Sequence, residues 1–251
     1  MTIRQKLYQQ AMERGLRQTT VRSYETLLGR LGVLDLDYIS PDDLYERLYR
    51  IDNPNTRRAA VIACRSVLGI KLKIPKGVPR KYNLPDEDTL RLALMTSPHE
   101  IRGLLMMYGG LRIGEACATV STDVDGDQLA VTRQVIQLHK TGEPTVTRIA
   151  PVKTSEGAIT IPYWLSERLS GVIETAKPDC VRESLRRAGS KVGIALNPHM
   201  LRHWYATTLL ERGLPFSLVS KQMRHSDIAV TLRTYSQTKS SDVHRVFGEG
   251  L

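Results

Sequence analysis

Cysteine is scarce in this chain. Only Cys64, Cys117 and Cys180 occur among 251 residues, far apart and with no Cys-x-x-Cys pair. That usage argues against a disulfide scaffold or a cysteine zinc site and suits a reducing compartment. Long apolar runs are missing too. The longest uncharged stretches, such as GAITIPYWLS, stop at about ten residues, short of the roughly 18 that a membrane span needs. The opening MTIRQKLYQQ has charges and no apolar core of a signal peptide. No internal repeat or low-complexity segment is evident, and the balance of 41% hydrophobic and 25% charged residues is that of a globular protein. The expectation is a cytoplasmic protein with no membrane partner.

Acidic residues are absent from one long interval. Between Asp52 and Asp86 the charged residues are all basic: Arg57, Arg58, Arg65, Lys71, Lys73, Lys76, Arg80 and Lys81. Residues 1–80 hold 15 Lys/Arg against 8 Asp/Glu, a net of +7, within a chain whose formal charge is +10. A one-signed run of this length is the electrostatic footprint expected for a phosphate backbone, so those eight residues are the candidate DNA contacts. Pro75, Gly77 and Pro79 punctuate its end. The reading is a helical domain at 1–74, a basic linker at 75–82 and a second domain at 83–251.

Helix signals fill the first domain. Residues 3–14 form one expected helix. Thr19 or Thr20 is expected to cap a second, with Val21, Tyr24, Leu27, Leu28 and Leu31 as its apolar stripe. Ser40-Pro41-Asp42-Asp43 caps a third, and Asn53-Pro54 opens a fourth through Ala59, Ile62, Ala63 and Val67. In the second domain, Pro85-Asp86-Glu87-Asp88 and Pro98-His99-Glu100 each start a helix. Residues 127–138 and 144–162 change to a strand period, with Val135, Val146, Ile149 and Ile159 among turn residues, and predict a small antiparallel sheet. Helical spacing returns from residue 163. The fold class is mainly α with a small antiparallel β-sheet, in two domains.

Three segments carry groups suited to chemistry. In GGLRIGEA, residues 109–116, Arg112 and Glu115 stand three apart and can pair on a helix. In NPHMLRHWYATTLLERG, residues 197–213, a capped helix places His199, Arg202 and His203 on one face. Two histidines four apart suggest zinc, but Met200 stands where the metalloprotease pattern needs Glu, and Arg202 between them would repel a dication. A guanidinium flanked by imidazoles suits an anion such as phosphate better. In MRHSDIAVTLRTYSQ, residues 223–237, His225 precedes a helix start and Tyr235 follows ten residues later.

GLRIGE, HMLRH and RHSDIAVTLRTY, in that order, resemble the tyrosine recombinase family, the phage-type integrases. The resemblance covers about residues 82–240 and, more loosely, the basic N-terminal bundle, which is similar to that family's core-site-binding domain. It implies a nucleophilic Tyr235, phosphate-holding Arg112 and Arg202, and His199 and His225 beside them. Lys153, in PVKTSEGAITIP, matches the family's hairpin lysine, with Lys140 on a neighbouring turn. Glu115 and His203 are expected to support these groups structurally. A Tyr phenolate attacking a phosphodiester conserves the bond as a 3′-phosphotyrosine ester, which a DNA hydroxyl can later reverse. Clustered cations favour the phenolate and stabilise charge on the non-bridging oxygens. The family needs neither metal nor other cofactor.

The resemblance further implies four protomers on two synapsed DNA attachment sites, strand exchange through a Holliday junction, and an accessory DNA-bending or excision factor as a partner class. Integration and excision of a phage or mobile element is the leading role. A chromosome- or plasmid-dimer-resolving recombinase, a type IB topoisomerase and a catalytically silent DNA-binding protein of this fold are the alternatives. The tail SQTKSSDVHRVFGEGL has Val243, Val246 and Phe247 at helical spacing and is expected to dock on a neighbouring protomer or on its own domain. Three departures stand out. The His225-to-Tyr235 interval is ten residues, where many members have nine. Met223-Arg224 replaces the usual Leu-Gly. No arm-binding domain is expected before the helical bundle.

Overall fold

A computed structural model describes residues 1–78, 83–138, 145–152, 156–172 and 174–224. Arg80, Lys81, Lys140, Lys153, His225, Tyr235 and the tail after it lie outside the described residues. The chain divides into two compact units, Met1–Lys81 and Tyr82–Leu251.

The described residues of the first unit form four helices: α1 Ile3–Glu13, α2 Gln18–Arg30, α3 Pro41–Tyr49 and α4 Pro54–Leu68. Side chains cap three of them. Thr2 and Gln5 form a reciprocal capping box on α1, the Ser40 hydroxyl accepts from the Asp43 amide, and Asn53 accepts from the Asn55 and Thr56 amides. The start of α2 differs from the expectation. Arg17 is the extended residue before it, and Thr19 and Thr20 lie inside the first turn. The reason is the tight end of α1: Gly15 turns at φ +60, the Leu16 amide bonds back to Ala11, and Arg17 is left as the pivot whose carbonyl accepts from Thr20 and Val21.

Helix α4 packs against α1, α2 and α3. Its buried arc is therefore broader than the expected stripe and rotated from it: Ala60, Val61, Ala63, Cys64 and Val67 are buried, while Ala59 and Ile62 are half-buried. The five buried residues meet Leu7, Leu28, Leu44 and Leu48 in one core. Leu72 joins that core beyond the helix. Residues 75–78, expected to belong to the linker, are held against α4. Arg58 donates to the Pro75 carbonyl, and Asn55 both donates to and accepts from the Val78 backbone at 2.9 and 3.0 Å.

The second unit opens with α5 Glu87–Met95, capped by Asp86, then α6 Glu100–Tyr108 and α7 Ile113–Ala118. A 3-10 turn at Ser121–Asp123 leads into β1 Val124–Asp125, β2 Gln128–Val131, β3 Arg133–Leu138, β4 Val146–Pro151 and β5 Gly157–Thr160. Among the described residues four helices follow: α8 Tyr163–Leu169, α9 Pro178–Lys191, α10 Pro198–Glu211 and α11 Phe216–Gln222. The fold is mainly α with antiparallel β structure.

The strands form two small sheets, β1-β2-β5 and β3-β4, where the sequence suggested one. Only Thr132 separates β2 from β3, whereas five residues, 152–156, separate β4 from β5, so the ladder cannot run on in register. Val146 and Ile149 are 54% and 55% exposed: α7 covers β3, including buried Val135, and β4 lies beyond it. Helix α6 is the centre of the unit. It touches α5, α7, α8 and α10, and Leu104, Leu105, Met106 and Met107 are all buried.

Candidate active site

The two arginine motifs meet at the ends of α6 and α10. After α6, Gly110 turns at φ +62, a conformation that glycine adopts without strain. An added Cβ there would also lie 2.5 Å from the Tyr205 ring. The turn puts Arg112 at the N-cap of α7. Gly114 brings α7 against β3, since a Cβ at that position would sit 2.8 Å from the Val135 carbonyl oxygen. Helix α10 begins as its sequence signals, with Pro198 in the first turn and the Asn197 side chain accepting from the Met200 amide.

Glu115 organises the first motif. Its carboxylate accepts from the Arg112 amide at 2.8 Å and from the Arg112 guanidinium at 3.0 Å. The Glu115 side chain is 2% exposed and that of Arg112 is 35% exposed, so a buried anion holds a cation that faces partly outward. Arg202, 5% exposed, reaches across to the first motif: its Nη1 donates to the Gly110 carbonyl and its Nη2 to the Met223 carbonyl at 2.7 Å. Residues about ninety apart in sequence thus share one backbone turn.

His199 is exposed at the first turn of α10, and His203 is half-buried one turn later. Burial, reinforced by His199, lowers the His203 imidazole from 6.5 to about 4, so it is neutral at neutral pH. Tyr205, on the buried side of α10, is raised to about 12 by burial, with Arg224 and Arg202 opposing the shift.

Arg224 is the site residue that sequence reasoning did not propose. It is 5% exposed, and its Nη2 donates to the Glu115 carboxylate. The available signal was the departure at the turn before His225, where Arg stands in place of Gly. Arg102 was missed as well. Its buried guanidinium donates to the carbonyls of Ala116, Thr119 and Glu174 and so clamps the C-terminal end of α7. A hydrophobic helix face gave no sign that an arginine would point inward.

Of the eight basic residues proposed to touch DNA, Arg65, Lys71, Lys73 and Lys76 are exposed. Arg57 and Arg58 are half-buried. Arg57 donates to the Ile51 carbonyl at 2.7 and 3.0 Å and lies over the Tyr49 ring, and Arg58 holds Pro75. No helix among the described residues is long and apolar enough to cross a membrane.

Among curated proteins, the chain is 26% identical over 182 residues to tyrosine recombinase XerA of Thermococcus onnurineus, covering 63% of this chain and 58% of the relative. It is 25% identical over 199 residues to transposase A from transposon Tn554 of Staphylococcus aureus, covering 72% of this chain and 55% of the relative. The chain thus spans well under two thirds of the length of these relatives. Its fold is similar to that of the Tn1549 transposon integrase in complex with transposon right-end DNA, with a TM-score of 0.71 at 20% identity, covering 98% of this chain and 99% of the other. A lambda integrase dimer bound to a core site gives a TM-score of 0.63 at 18% identity, covering 96% of this chain and 79% of the other. The phage integrase family model matches residues 83–241, a span that contains both arginine motifs, and on that match the chain belongs to the phage integrase family.

Proposed function

We propose that this chain is a site-specific DNA recombinase that cuts and rejoins DNA through a 3′-phosphotyrosine intermediate. The observation that carries the reading is the joining of the two arginine motifs: Arg202 donates to the Gly110 carbonyl, two residues from Arg112. A scissile phosphate beside Arg112 would meet the guanidinium groups of Arg112 and Arg202, with buried Arg224 offsetting the charge of the Glu115 carboxylate. That surplus of positive charge suits the charge that develops on non-bridging oxygens.

In this reading Tyr235 is the nucleophile, Lys153 protonates the departing 5′-oxygen, and His199 and His225 donate hydrogen bonds or take up the phenolic proton. Glu115 fixes Arg112. Neutral His203 packs beside His199 without adding charge. The exposed Arg65, Lys71, Lys73 and Lys76, with Arg57, Arg58, Arg80 and Lys81, bind the phosphate backbone of duplex DNA. Four protomers synapse two attachment sites, and strand exchange passes through a Holliday junction. Transposase A of Tn554, among the relatives, supports a role in moving a phage or other mobile element. Resolution of chromosome or plasmid dimers is the alternative role of the same chemistry.

The test is covalent trapping on a nicked suicide substrate built from the source element's candidate attachment site. The wild type is expected to give a denaturation-resistant adduct at the 3′-phosphate, and Tyr235→Phe to bind the DNA without one. An adduct that persists in Tyr235→Phe would overturn the nucleophile. Tight binding with no wild-type adduct would favour a silent DNA-binding protein. Cleavage is expected to continue in EDTA without ATP, and strict Mg²⁺ dependence would count against the mechanism.

A further inference from the structure

We infer that Arg224 is a positioning residue for Arg112, acting through the carboxylate that both share. The inference rests on reading Arg112 as a phosphate-holding residue.

Arg224 carries three costs at once. Its backbone sits at φ 49, the one non-glycine positive φ among the described residues. A residue with a Cβ is strained there by about 1–2 kcal/mol, and glycine is not. Its side chain is 4% exposed, and burial pushes its pKa down against the opposing pull of Glu115. Its Nε and Nη1 are buried with no hydrogen-bond partner among the described residues. Arginine ordinarily extends its head group to water, and buried N–H groups ordinarily find partners. A residue that only filled space would avoid the last two costs as an apolar side chain, and all three as glycine.

The return for these costs is the geometry of one carboxylate. Oε2 of Glu115 accepts from the Arg112 amide and from Arg224 Nη2, while Oε1 accepts from Arg112 Nη1. The last torsion of a glutamate is soft. With Arg224 in place both oxygens are engaged by guanidinium groups and the carboxylate plane is fixed, which fixes the fork of Arg112. The same turn serves the second arginine, because the preceding carbonyl, that of Met223, accepts from Arg202 Nη2 at 2.7 Å. Residues 223 and 224 therefore hold Arg202 through the backbone and Arg112 through a side chain, and set the spacing of two guanidinium groups.

The test uses the full chain with Arg224→Gly, which relieves the backbone, Arg224→Lys, which keeps the charge, Arg112→Lys, and the Arg112→Lys/Arg224→Gly double variant. Single-turnover cleavage at saturating suicide substrate is measured per folded molecule, with duplex affinity measured separately. Arg224→Gly is expected to slow cleavage by about 10–100-fold with duplex affinity unchanged, the scale of losing a group that orients a site residue. Arg224→Lys should recover part of the rate. In the double variant, Arg224→Gly should add little to the loss from Arg112→Lys. Wild-type cleavage in Arg224→Gly, or independent losses that multiply, would overturn the inference.

If the wild type itself forms no adduct, the recombinase reading fails. The positioning role is then decided by the ¹⁵N–¹H resonance of Arg112 Nε, assigned with Arg112→Lys. A shift of that resonance in Arg224→Gly upholds the role, and an unmoved resonance overturns it.

Discussion

Glu115 and Arg224 form an ion pair whose side chains are 2% and 4% exposed, joining α7 to the turn after α11. Removing one partner of such a pair leaves the other charged, desolvated and uncompensated. Glu115→Gln keeps the shape and one acceptor oxygen but removes the charge, and should destabilise the second unit by about 3 kcal/mol. Both tryptophans, Trp164 and Trp204, lie in that unit, so their fluorescence in a urea titration reports its unfolding apart from the first unit. A loss below about 1 kcal/mol would show that the pair contributes no more than a surface salt bridge.

Gly110 offers a sharper comparison. At φ +62, with an added Cβ 2.5 Å from Tyr205, Gly110→Ala meets both backbone strain and a clash. Gly213 has φ +86 but nothing within 4 Å of an added Cβ, so Gly213→Ala meets strain alone. The expected losses are about 2–4 kcal/mol for the first and about 1 kcal/mol for the second. Gly110→Ala should also slow cleavage more than it weakens DNA binding, because the Gly110 carbonyl is an anchor of Arg202. Equal losses at the two glycines would mean that the Tyr205 ring moves aside at little cost.

Much of this architecture was legible in local signals. Ser40, Asn53, Asp86 and Asn197 start the helices they were expected to start, because a side-chain acceptor over the first amides is a short-range device. The start of α2 was not legible, since it depends on how Gly15 closes the preceding helix. The division of the strands into two sheets follows from unequal spacers on facing strands, a nonlocal property. At the site, the pairing of Arg112 with Glu115 follows from their spacing. The Glu115–Arg224 pair does not, since it links residues 109 apart, and only the replacement of glycine by arginine marked the position. Arg57 and Arg58 read as candidate DNA contacts in sequence; that each also donates to a carbonyl of its own unit is something spacing alone does not reveal.

Arg102 is 6% exposed, and the hydrogen bonds described for it go to three backbone carbonyls. It is a cation used as a bracket. Arg102→Met preserves much of the packing but leaves the Ala116, Thr119 and Glu174 carbonyls without that donor. A loss of about 2–4 kcal/mol is expected. Hydrogen exchange should locate it: amides of α7 and the turn after it should exchange faster, while those of α4 in the first unit are unaffected. Uniform acceleration across the second unit would point to global destabilisation in place of a local bracket.

The depressed pKa of His203 gives stability a defined pH dependence. Its folded value is about 4 against 6.5 in the unfolded chain. Between those values the unfolded chain binds a proton that the folded one does not, so stability falls as pH drops from about 6.5 towards about 4, and this group adds nothing further below that. The ring is only half-buried, so solvent screening limits the contribution to about 1–2 kcal/mol. The urea midpoint of the wild type, followed by tryptophan fluorescence, should therefore fall further than that of His203→Gln on acidification from about pH 7 to about pH 4.5. Parallel losses in the two proteins would show that His203 does not titrate at a lowered value. His199→Gln separates the causes. Burial is the larger one and His199 the smaller, so that variant should raise the His203 pKa without restoring it to 6.5, and the acid loss of stability should shrink but persist.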